Sequence, residues 1–161
     1  IGQEVAKIAL GCGMQVRVCD PFIEQVTLTL SFFDGQEVHF TIKTESKETV
    51  LKSSDFISLH VPAQKEYLIG KEELNLMKKG SAIVNAARGG VIDETALLNA
   101  LETKHIQFAA LDTFENEPQP AIKVLMNEHV SLSPHIGAAT QEAQSRIGLE
   151  LADQVITILK N

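Results

Sequence analysis

Four apolar runs of this chain each end in residues that can do chemistry. In chain order these residues are His60, Arg88, Asp112 with Glu117, and His135. Each apolar run predicts a short buried strand, and the carboxyl ends of parallel strands meet at one edge of a sheet. We therefore expect these residues, which are far apart in the sequence, to become neighbours at that edge.

Three of these residues together form the minimum set for oxidising a 2-hydroxy acid. The His135 imidazole can take the hydroxyl proton while hydride leaves the adjacent carbon for a nicotinamide. The Glu117 carboxylate can orient that ring, and the Arg88 guanidinium can bind a substrate carboxylate through two hydrogen bonds. Structural roles remain open for each residue taken alone, because a lone His is more often structural and an Arg after a strand more often forms a surface ion pair.

The stretch from Ser81 to Glu94 shows most clearly how such a residue is presented. The apolar run at 82–84 predicts a central strand, and Asp93 begins a new helical pattern. Between them, residues 86–90 are small apart from Arg88. Small residues allow another molecule to approach the backbone, so the stretch predicts a ligand-binding loop.

The composition excludes several classes of function. The 161 residues, 44% of them hydrophobic, fit one domain with a proper core. The 14 basic and 21 acidic residues give a net charge of −7, which argues against nucleic acid or an anionic membrane as a partner. No apolar run is long enough to span a membrane and no signal peptide opens the sequence, so we expect a soluble, cytoplasmic protein.

The cysteines point the same way. The sequence contains two, Cys12 and Cys19, and they do not form a Cys-x-x-Cys motif. This arrangement favours reduced thiols buried in a cytoplasmic fold over a disulfide or a metal site. We therefore expect no bound metal.

The first twenty residues are typical of the second half of a dinucleotide-binding unit. Apolar residues from Val5 to Cys12 recur at helical spacing, and residues 15–19 predict a strand that ends at Asp20. In such a unit a glycine at the position of Gly2 permits close packing of helix and strand, and the acidic residue binds the adenosine ribose. A turn without a ligand is an equally good interpretation of Asp20 with its following proline. The first strand of the unit and its first two glycines would precede residue 1.

Residues 25–44 interrupt the alternation of strands and helices. Apolar and polar residues alternate on both sides of Asp34 and Gly35, which predicts a β-hairpin with these two residues in the turn. The apolar face of such a hairpin needs a cover. Either the missing part of the chain or another subunit would provide it.

The remainder of the chain alternates between strands and helices. We predict strands at 56–62, 82–85, 108–112 and 130–132, and helices at 48–51, 71–77, 93–102, 121–126 and 141–159. This alternation predicts an α/β fold with a doubly wound, mostly parallel sheet of the Rossmann type that is covered on both faces. The sheet would lack its first strand and would carry the hairpin as an insertion.

Three motifs resemble those of a known family, the D-isomer-specific 2-hydroxy-acid dehydrogenases. They are Asn85-Ala-Ala-Arg88-Gly-Gly-Val-Ile-Asp93-Glu94, Ala110-Leu-Asp112-Thr-Phe-Glu115-Asn-Glu117-Pro118 and Ser133-Pro-His135-Ile-Gly137. The resemblance covers nearly the whole chain except residues 25–44 and implies an NAD-dependent oxidoreductase that acts on CH–OH donors. Within the family, residues 134–144 resemble members that oxidise 3-phosphoglycerate to 3-phosphohydroxypyruvate in serine synthesis. Glycerate, hydroxypyruvate or another 2-hydroxy acid remains an alternative substrate.

The resemblance also implies roles for individual residues. Arg88 would bind the substrate carboxylate, Glu117 would pair with the catalytic histidine, and His135 would be the general acid and base. NAD would be preferred to NADP, because the charge of Asp20 would repel a 2′-phosphate. The implied cofactor contacts are Gly2, Asp20, His60, Val61, Pro62, Ala86, Ala87, Arg88, Asp112, His135 and Gly137. Glu115 has no role in this pattern and is expected to face solvent.

The resemblance also bears on domains and partners. The chain, 1–161, would be an NAD-binding domain that is incomplete at its N-terminus and lacks the substrate domain, so alone it would bind NAD weakly and catalyse nothing. With that domain it would act on small 2-hydroxy or 2-keto acids and form a homodimer or homotetramer. An NAD(H)-sensing, corepressor-like binding module of the same fold is the alternative from another functional class. A structural domain without a ligand is the least favoured interpretation.

Overall fold

Twelve helices and strands make up the part of the chain that the computed structural model describes, residues 1–160. In order they are α1 (Gly2–Gly11), β1 (Gln25–Ser31), β2 (Glu37–Lys43), α2 (Lys47–Ser53), β3 (Phe56–Leu59), α3 (Lys71–Leu76), β4 (Ser81–Asn85), α4 (Glu94–Glu102), β5 (Ile106–Leu111), α5 (Ile122–Leu125), β6 (Val130–Leu132) and α6 (Gln141–Leu159). The predicted α/β class is confirmed. The predicted helices and strands from residue 25 onwards are present, with ends that coincide or differ by at most three residues.

The main sheet has four parallel strands in the order β3-β4-β5-β6. Leu59 pairs with Asn85, Asn85 with Leu111, and Leu111 with Leu132. We call these four residues the strand-end row, because each is the last residue of its strand. The residues that directly follow the row therefore leave the sheet side by side at one edge.

The core lies on one face of this sheet. Ile57, Ile83 and Ile106 from the strands are buried together with Leu74 of α3 and Leu101 of α4. These residues alternate along each strand with others that face the opposite way, as the period of a strand requires. Burying this one face against α2, α3 and α4 fixes the register of the strands.

The opposite face of the sheet is open, contrary to the expectation that both faces are covered. Phe56 is 62% exposed and Phe108 is 51% exposed. The helices whose side chains join the core pack on the other face, and α1 and α6 contain no buried residue. Within residues 1–160 no helix therefore buries this face, although β3, β4 and β5 present apolar side chains there.

The predicted strand at 15–19 is wrong as a continuous strand. These residues form a single parallel bridge, between Val18 and Thr44, and the Glu45 N–H donates to the Val18 carbonyl. A strand needs a neighbour along its length, and β2 ends at Lys43, so the described chain offers a partner only near Val18. Residues 15–19 consequently lie outside the four-stranded sheet.

The predicted hairpin is confirmed. β1 and β2 pair antiparallel from Gln25 opposite Lys43 to Ser31 opposite Glu37, and Asp34 and Gly35 lie in the connecting turn. Gly35 has a φ of +81°, a conformation that favours glycine. β1 contacts α1, and Val26 and Leu28 of β1 are buried, whereas Val38 and Phe40 of β2 are 43% and 37% exposed. The described chain therefore covers the apolar face of the hairpin only in part.

One expectation about side chains is corrected, and the last helix is more exposed than the other helices of the sheet. Cys12 and Cys19 are free, as expected for reduced thiols, but both are exposed rather than buried. The long helix α6 begins at a Thr140 cap that accepts a hydrogen bond from the Ala143 N–H, yet its apolar residues remain exposed.

Two kinds of feature are absent from residues 1–160. None of the described helices combines the length and apolar character needed to span a membrane. No group of three or more His, Cys, Asp or Glu side chains in the same range is arranged to hold a metal ion.

Candidate active site

The histidine and carboxylate that the sequence singled out are in direct contact. The His135 Nδ1 lies 2.7 Å from the Glu117 Oε2. The other oxygen of Glu117 accepts a hydrogen bond of 2.9 Å from the Phe114 N–H. The Phe114 N–H and then the His135 ring lower the pKa of Glu117, so its carboxylate is ionised at neutral pH. An Nδ1–H that donates to this carboxylate leaves Nε2 as the ring nitrogen for proton exchange.

Asp112 holds the backbone around His135. Its Oδ1 accepts hydrogen bonds from the Ser133 hydroxyl at 2.6 Å and the Ile136 N–H at 3.0 Å, and its Oδ2 accepts one from the Gly137 N–H at 3.0 Å. Burial acts to raise the pKa of Asp112, but these hydrogen bonds outweigh it and the net pKa is lowered. An ionised Asp112 can thus hold His135 in its left-handed conformation, with φ of +54°.

Asn85 organises the loop that carries Arg88. This side chain, 2% exposed, donates from Nδ2 to the Arg88 carbonyl at 2.9 Å and accepts from the Ala87 N–H at 3.1 Å. The Arg88 guanidinium is exposed and donates to the Ala87 carbonyl at 2.6 Å. It forms no ion pair with any residue in 1–160, so the structure does not support the interpretation of Arg88 as a surface ion-pair partner.

Gly89 brings the Arg88 loop against the segment that carries Glu117. A Cβ added to Gly89 would lie 1.9 Å from the Phe114 carbonyl oxygen and 2.6 Å from its carbon. Any side chain at this position would therefore collide with backbone, which cannot move aside as the tip of a flexible side chain can. Because the Phe114 N–H binds Glu117, the Arg88 loop lies next to the pair formed by Glu117 and His135.

Of the residues expected to contact the cofactor, Gly2 and His60 lie together at the sheet edge, whereas Asp20 lies apart from it. A Cβ on Gly2 would lie 3.2 Å from the His60 Cβ, so helix α1 approaches the end of β3 closely at this glycine. Burial lowers the pKa of His60, and its Nε2 lies 2.9 Å from the Ser58 hydroxyl. Asp20 lies apart from the four-stranded sheet and accepts a hydrogen bond of 2.9 Å from the Phe22 N–H, which is the turn that the sequence left open as an alternative.

Some of the other residues predicted to contact the cofactor are exposed, and others are buried. Val61 is half-buried and Pro62 is exposed, directly after His60. Ala86 is exposed at the sheet edge, whereas Ala87 is buried in the core. Ala86 can thus contact a bound molecule, and Ala87 supports the loop from below.

Four residues that hold the site together were assigned no role from the sequence. Asn85 and Ser133 support the loops of Arg88 and His135, as described above. Glu115, expected to face solvent, is half-buried, and its carboxylate accepts a hydrogen bond of 2.8 Å from the Glu94 N–H. Glu94 is acidic in the first turn of α4, but its carboxylate accepts from the Glu115 N–H, 21 residues away, so its place in the helix did not reveal this partner.

A cavity of about 420 Å³ lies beside the histidine and the carboxylate. Phe114, Leu125 and Leu132 form part of its apolar lining, and Glu117, Ser133 and His135 contribute polar atoms. Arg88 does not line this cavity, so the cavity extends from the pair of His135 and Glu117 away from the Arg88 loop.

Comparisons with known proteins agree with this geometry. Residues 1–137 match the family described as "D-isomer specific 2-hydroxyacid dehydrogenase, NAD binding domain". The chain is 39% identical over 162 residues to a D-3-phosphoglycerate dehydrogenase of Bacillus subtilis, covering 99% of this chain and 29% of that protein. It is 41% identical over 160 residues to a hydroxypyruvate reductase of Thermotoga maritima, covering 96% and 48%. The chain thus spans less than half the length of these relatives.

Solved structures give the same result. A D-lactate dehydrogenase from Aquifex aeolicus, solved with NAD and lactic acid, matches with a TM-score of 0.75 at 30% identity, over 99% of this chain and 50% of that one. A glyoxylate reductase from Paecilomyes thermophila matches with a TM-score of 0.74 at 37% identity, over 92% and 43%.

Proposed function

The chain belongs to the D-isomer-specific 2-hydroxyacid dehydrogenases as an NAD-binding domain, and on that premise we propose that its protein oxidises a 2-hydroxy acid with NAD. The observation that carries this proposal is the 2.7 Å contact between His135 and Glu117. An imidazole held by an ionised carboxylate is suited to accept a proton, which the reaction requires of the protein.

Each of the three proposed catalytic residues then has one task. The Arg88 guanidinium binds the substrate carboxylate, so that the hydroxyl on carbon 2 faces His135. The Nε2 of His135 takes the hydroxyl proton during oxidation and returns it during reduction of the keto acid. Glu117 accepts from Nδ1, keeps the ring in the tautomer that leaves Nε2 free, and stabilises the ring once it is charged.

Two features of the sheet edge suit a dinucleotide: a small exposed residue and the close approach of a helix. Ala86 is exposed where β4 ends, and Gly2 lets helix α1 approach His60. We propose that NAD is contacted by Gly2, Asp20, His60, Val61, Pro62, Ala86, Arg88, His135 and Gly137, and that the buried Ala87 and Asp112 hold this surface in place. When bound, NAD supplies the hydride acceptor. Asp112 contributes by fixing the backbone of Ile136 and Gly137, because its oxygens already accept their N–H groups.

We propose 3-phosphoglycerate as the substrate, with 3-phosphohydroxypyruvate as the product, in serine biosynthesis. This is supported by the identity to D-3-phosphoglycerate dehydrogenases from several organisms. Relatives of similar identity are named for hydroxypyruvate and glyoxylate, so these acids are the competing substrates. We also propose a cytoplasmic homodimer or homotetramer. Two free cysteines fit a reducing compartment, and the exposed apolar residues of α6 fit contact with further protein.

The test is a substrate series on the full-length protein. NADH oxidation is followed with 3-phosphohydroxypyruvate, hydroxypyruvate, glyoxylate and pyruvate, and NADH affinity is measured separately by fluorescence. We expect the highest kcat/KM with 3-phosphohydroxypyruvate. A higher value with another keto acid would reassign the substrate within the family. Tight NADH binding without turnover of any acid would contradict the enzymatic proposal and favour an NAD(H)-sensing module.

A further inference from the structure

Two loops carry the proposed catalytic residues. The Arg88 loop, residues 86–93, connects β4 to α4, and the Glu117 loop, residues 112–118, follows β5. The substrate carboxylate and its hydroxyl are bound by different loops in the proposed function. Their relative position therefore sets whether the hydroxyl meets His135.

Two carboxylates tie these loops to each other. The Glu115 Oε1 accepts a hydrogen bond of 2.8 Å from the Glu94 N–H, and the Glu94 Oε1 accepts one of 2.8 Å from the Glu115 N–H. We call these two residues the carboxylate clamp. Each side chain thus satisfies the backbone of the other, at the start of α4 on one side and in the Glu117 loop on the other.

The clamp acts next to a contact that tolerates little movement. Gly89 faces the Phe114 carbonyl so closely that a Cβ would not fit. Phe114 lies between the clamp residue Glu115 and Asp112, and its N–H binds Glu117. A shift of the Glu117 loop relative to the Arg88 loop would therefore disturb the carboxylate that holds His135.

Burial makes the carboxylate clamp favourable only in the observed arrangement of the two loops. Glu94 is 6% exposed, and burial raises its pKa, with the nearby Glu115 and Glu117 charges adding to the effect. A buried carboxylate next to another carboxylate is unfavourable unless hydrogen bonds compensate. The two N–H groups provide that compensation only when both loops are in their observed positions.

We propose that Glu94 and Glu115 are positioning residues that set the distance between the Arg88 guanidinium and the pair formed by His135 and Glu117. The proposal rests on the proposed function, and it assigns the two glutamates to substrate alignment rather than to contact with substrate or NAD.

The experiment compares three variants of the full-length protein. Glu115→Ala removes the acceptor of the Glu94 N–H, and Glu115→Gln keeps an oxygen there without the charge. Ser46→Ala is the matched control, because Ser46 also accepts one backbone N–H at a helix start, that of Thr49 in α2, away from the site. The readouts are kcat, the KM for the keto acid, the affinity for NADH, and hydrogen exchange at the Ala87 and Phe114 N–H groups.

We expect Glu115→Ala to lower kcat/KM for the keto acid by up to about 100-fold through poor alignment. NADH affinity should fall much less, because most of the proposed NAD contacts lie outside the Arg88 loop. Glu115→Gln should restore most of the activity, and Ser46→Ala should leave it at the level of the unmodified protein. Exchange should become faster at Ala87 as well as Phe114 in Glu115→Ala, although only Phe114 lies on the altered loop. A Glu115→Ala variant that behaves like Ser46→Ala in kcat/KM and in exchange at Ala87 would overturn the proposal.

The exchange measurement separates this proposal from the proposed function. If the unmodified protein turned over no hydroxy or keto acid, the enzymatic function would fail, and exchange at Ala87 would still decide whether Glu115 holds the Arg88 loop. A double-mutant comparison with Glu94→Ala sharpens the result, because two ends of one clamp should give effects that are not additive.

Discussion

Residues 56–137, which carry the proposed catalytic residues, form most of the packed core, whereas residues 1–55, which carry Asp20, bury only Val26, Leu28 and Leu51. In residues 56–137 the four parallel strands share one buried face, and each proposed catalytic residue follows a strand of that sheet. Residues 15–20 connect to the rest of the chain through the Val18 bridge and an ion pair of 2.7 Å between Arg17 and Glu45. The residues proposed for proton transfer thus follow strands of the packed sheet, and the residue proposed to contact adenosine does not.

The comparison is tested most strongly by removing one proposed residue from each half. His135→Ala in the full-length protein should lower kcat by about 10²- to 10⁴-fold, because it removes the general base. Asp20→Ala should instead raise the KM for NAD and leave kcat nearly unchanged, since Asp20 is proposed to bind ribose only. Steady-state kinetics with both substrates varied measures the two effects. Near-normal turnover by His135→Ala would contradict its assignment.

The next largest difference is expected between truncations of a buried side chain in each half. Ile83→Ala in β4 and Leu28→Ala in β1 both remove a fully buried side chain. We expect Ile83→Ala to lower the free energy of unfolding by about 2–5 kcal/mol and to speed hydrogen exchange throughout β3, β4 and β5. Leu28→Ala should speed exchange in β1 and β2 while β4 stays protected. Equal loss of protection in β4 from both variants would show that the halves unfold as one unit.

Stability should depend on pH through Asp112. The pKa of this residue is lowered in the folded state, so its contribution is present above the pKa of the unfolded chain and is lost as the pH falls through the lower, folded pKa. Asp112→Asn should lower the free energy of unfolding by about 1–3 kcal/mol at pH 7, because the Gly137 N–H loses its acceptor. Below about pH 4 the difference between variant and unmodified protein should shrink. Urea unfolding at several pH values measures both quantities, and a constant difference would contradict this cause.

The smallest effect is expected on the exposed face of the hairpin. Thr27 and Thr41 stand opposite each other, with 3.0 Å between their hydroxyl oxygens. Thr27→Ala should lower the free energy of unfolding by about 0.2–1 kcal/mol and leave the kinetics unchanged. A change in kcat larger than about twofold would show that the hairpin is coupled to the site more strongly than its contacts indicate.

The sequence predicted the catalytic half well because local and tertiary preferences agree there. The run at 82–84 is apolar, its strand is buried on one face, and Asp93 caps the next helix through the Ala96 N–H, as expected of an Asp at that position. The proximity of His135 and Glu117 followed from parallel strand ends, which meet at one edge, and their pairing was implied by the family resemblance. The roles of the individual residues in catalysis and cofactor binding stay predictions.

What the sequence could not provide depends on the partners of each segment. The pattern at 15–19 favours a strand, but a pattern does not show whether a neighbouring strand runs alongside, and one bridge formed. Glu115 stands in an acidic segment that suggests solvent, and its use as an acceptor depends on Glu94, 21 residues away. The exposure of Cys12 and Cys19 has the same origin, because burial requires a packed neighbour as well as an apolar side chain.

The strand-end row has a consequence for engineering the chain. Inserting one residue into β3, β4, β5 or β6 would advance the following residue by about 3.3 Å and turn it to the other face of the sheet. The four strands are therefore poor places for an insertion, even of a single residue. The hairpin turn, where Phe33 is fully exposed and no proposed contact to NAD lies, is the better place to attach a tag, a fluorophore or a surface anchor.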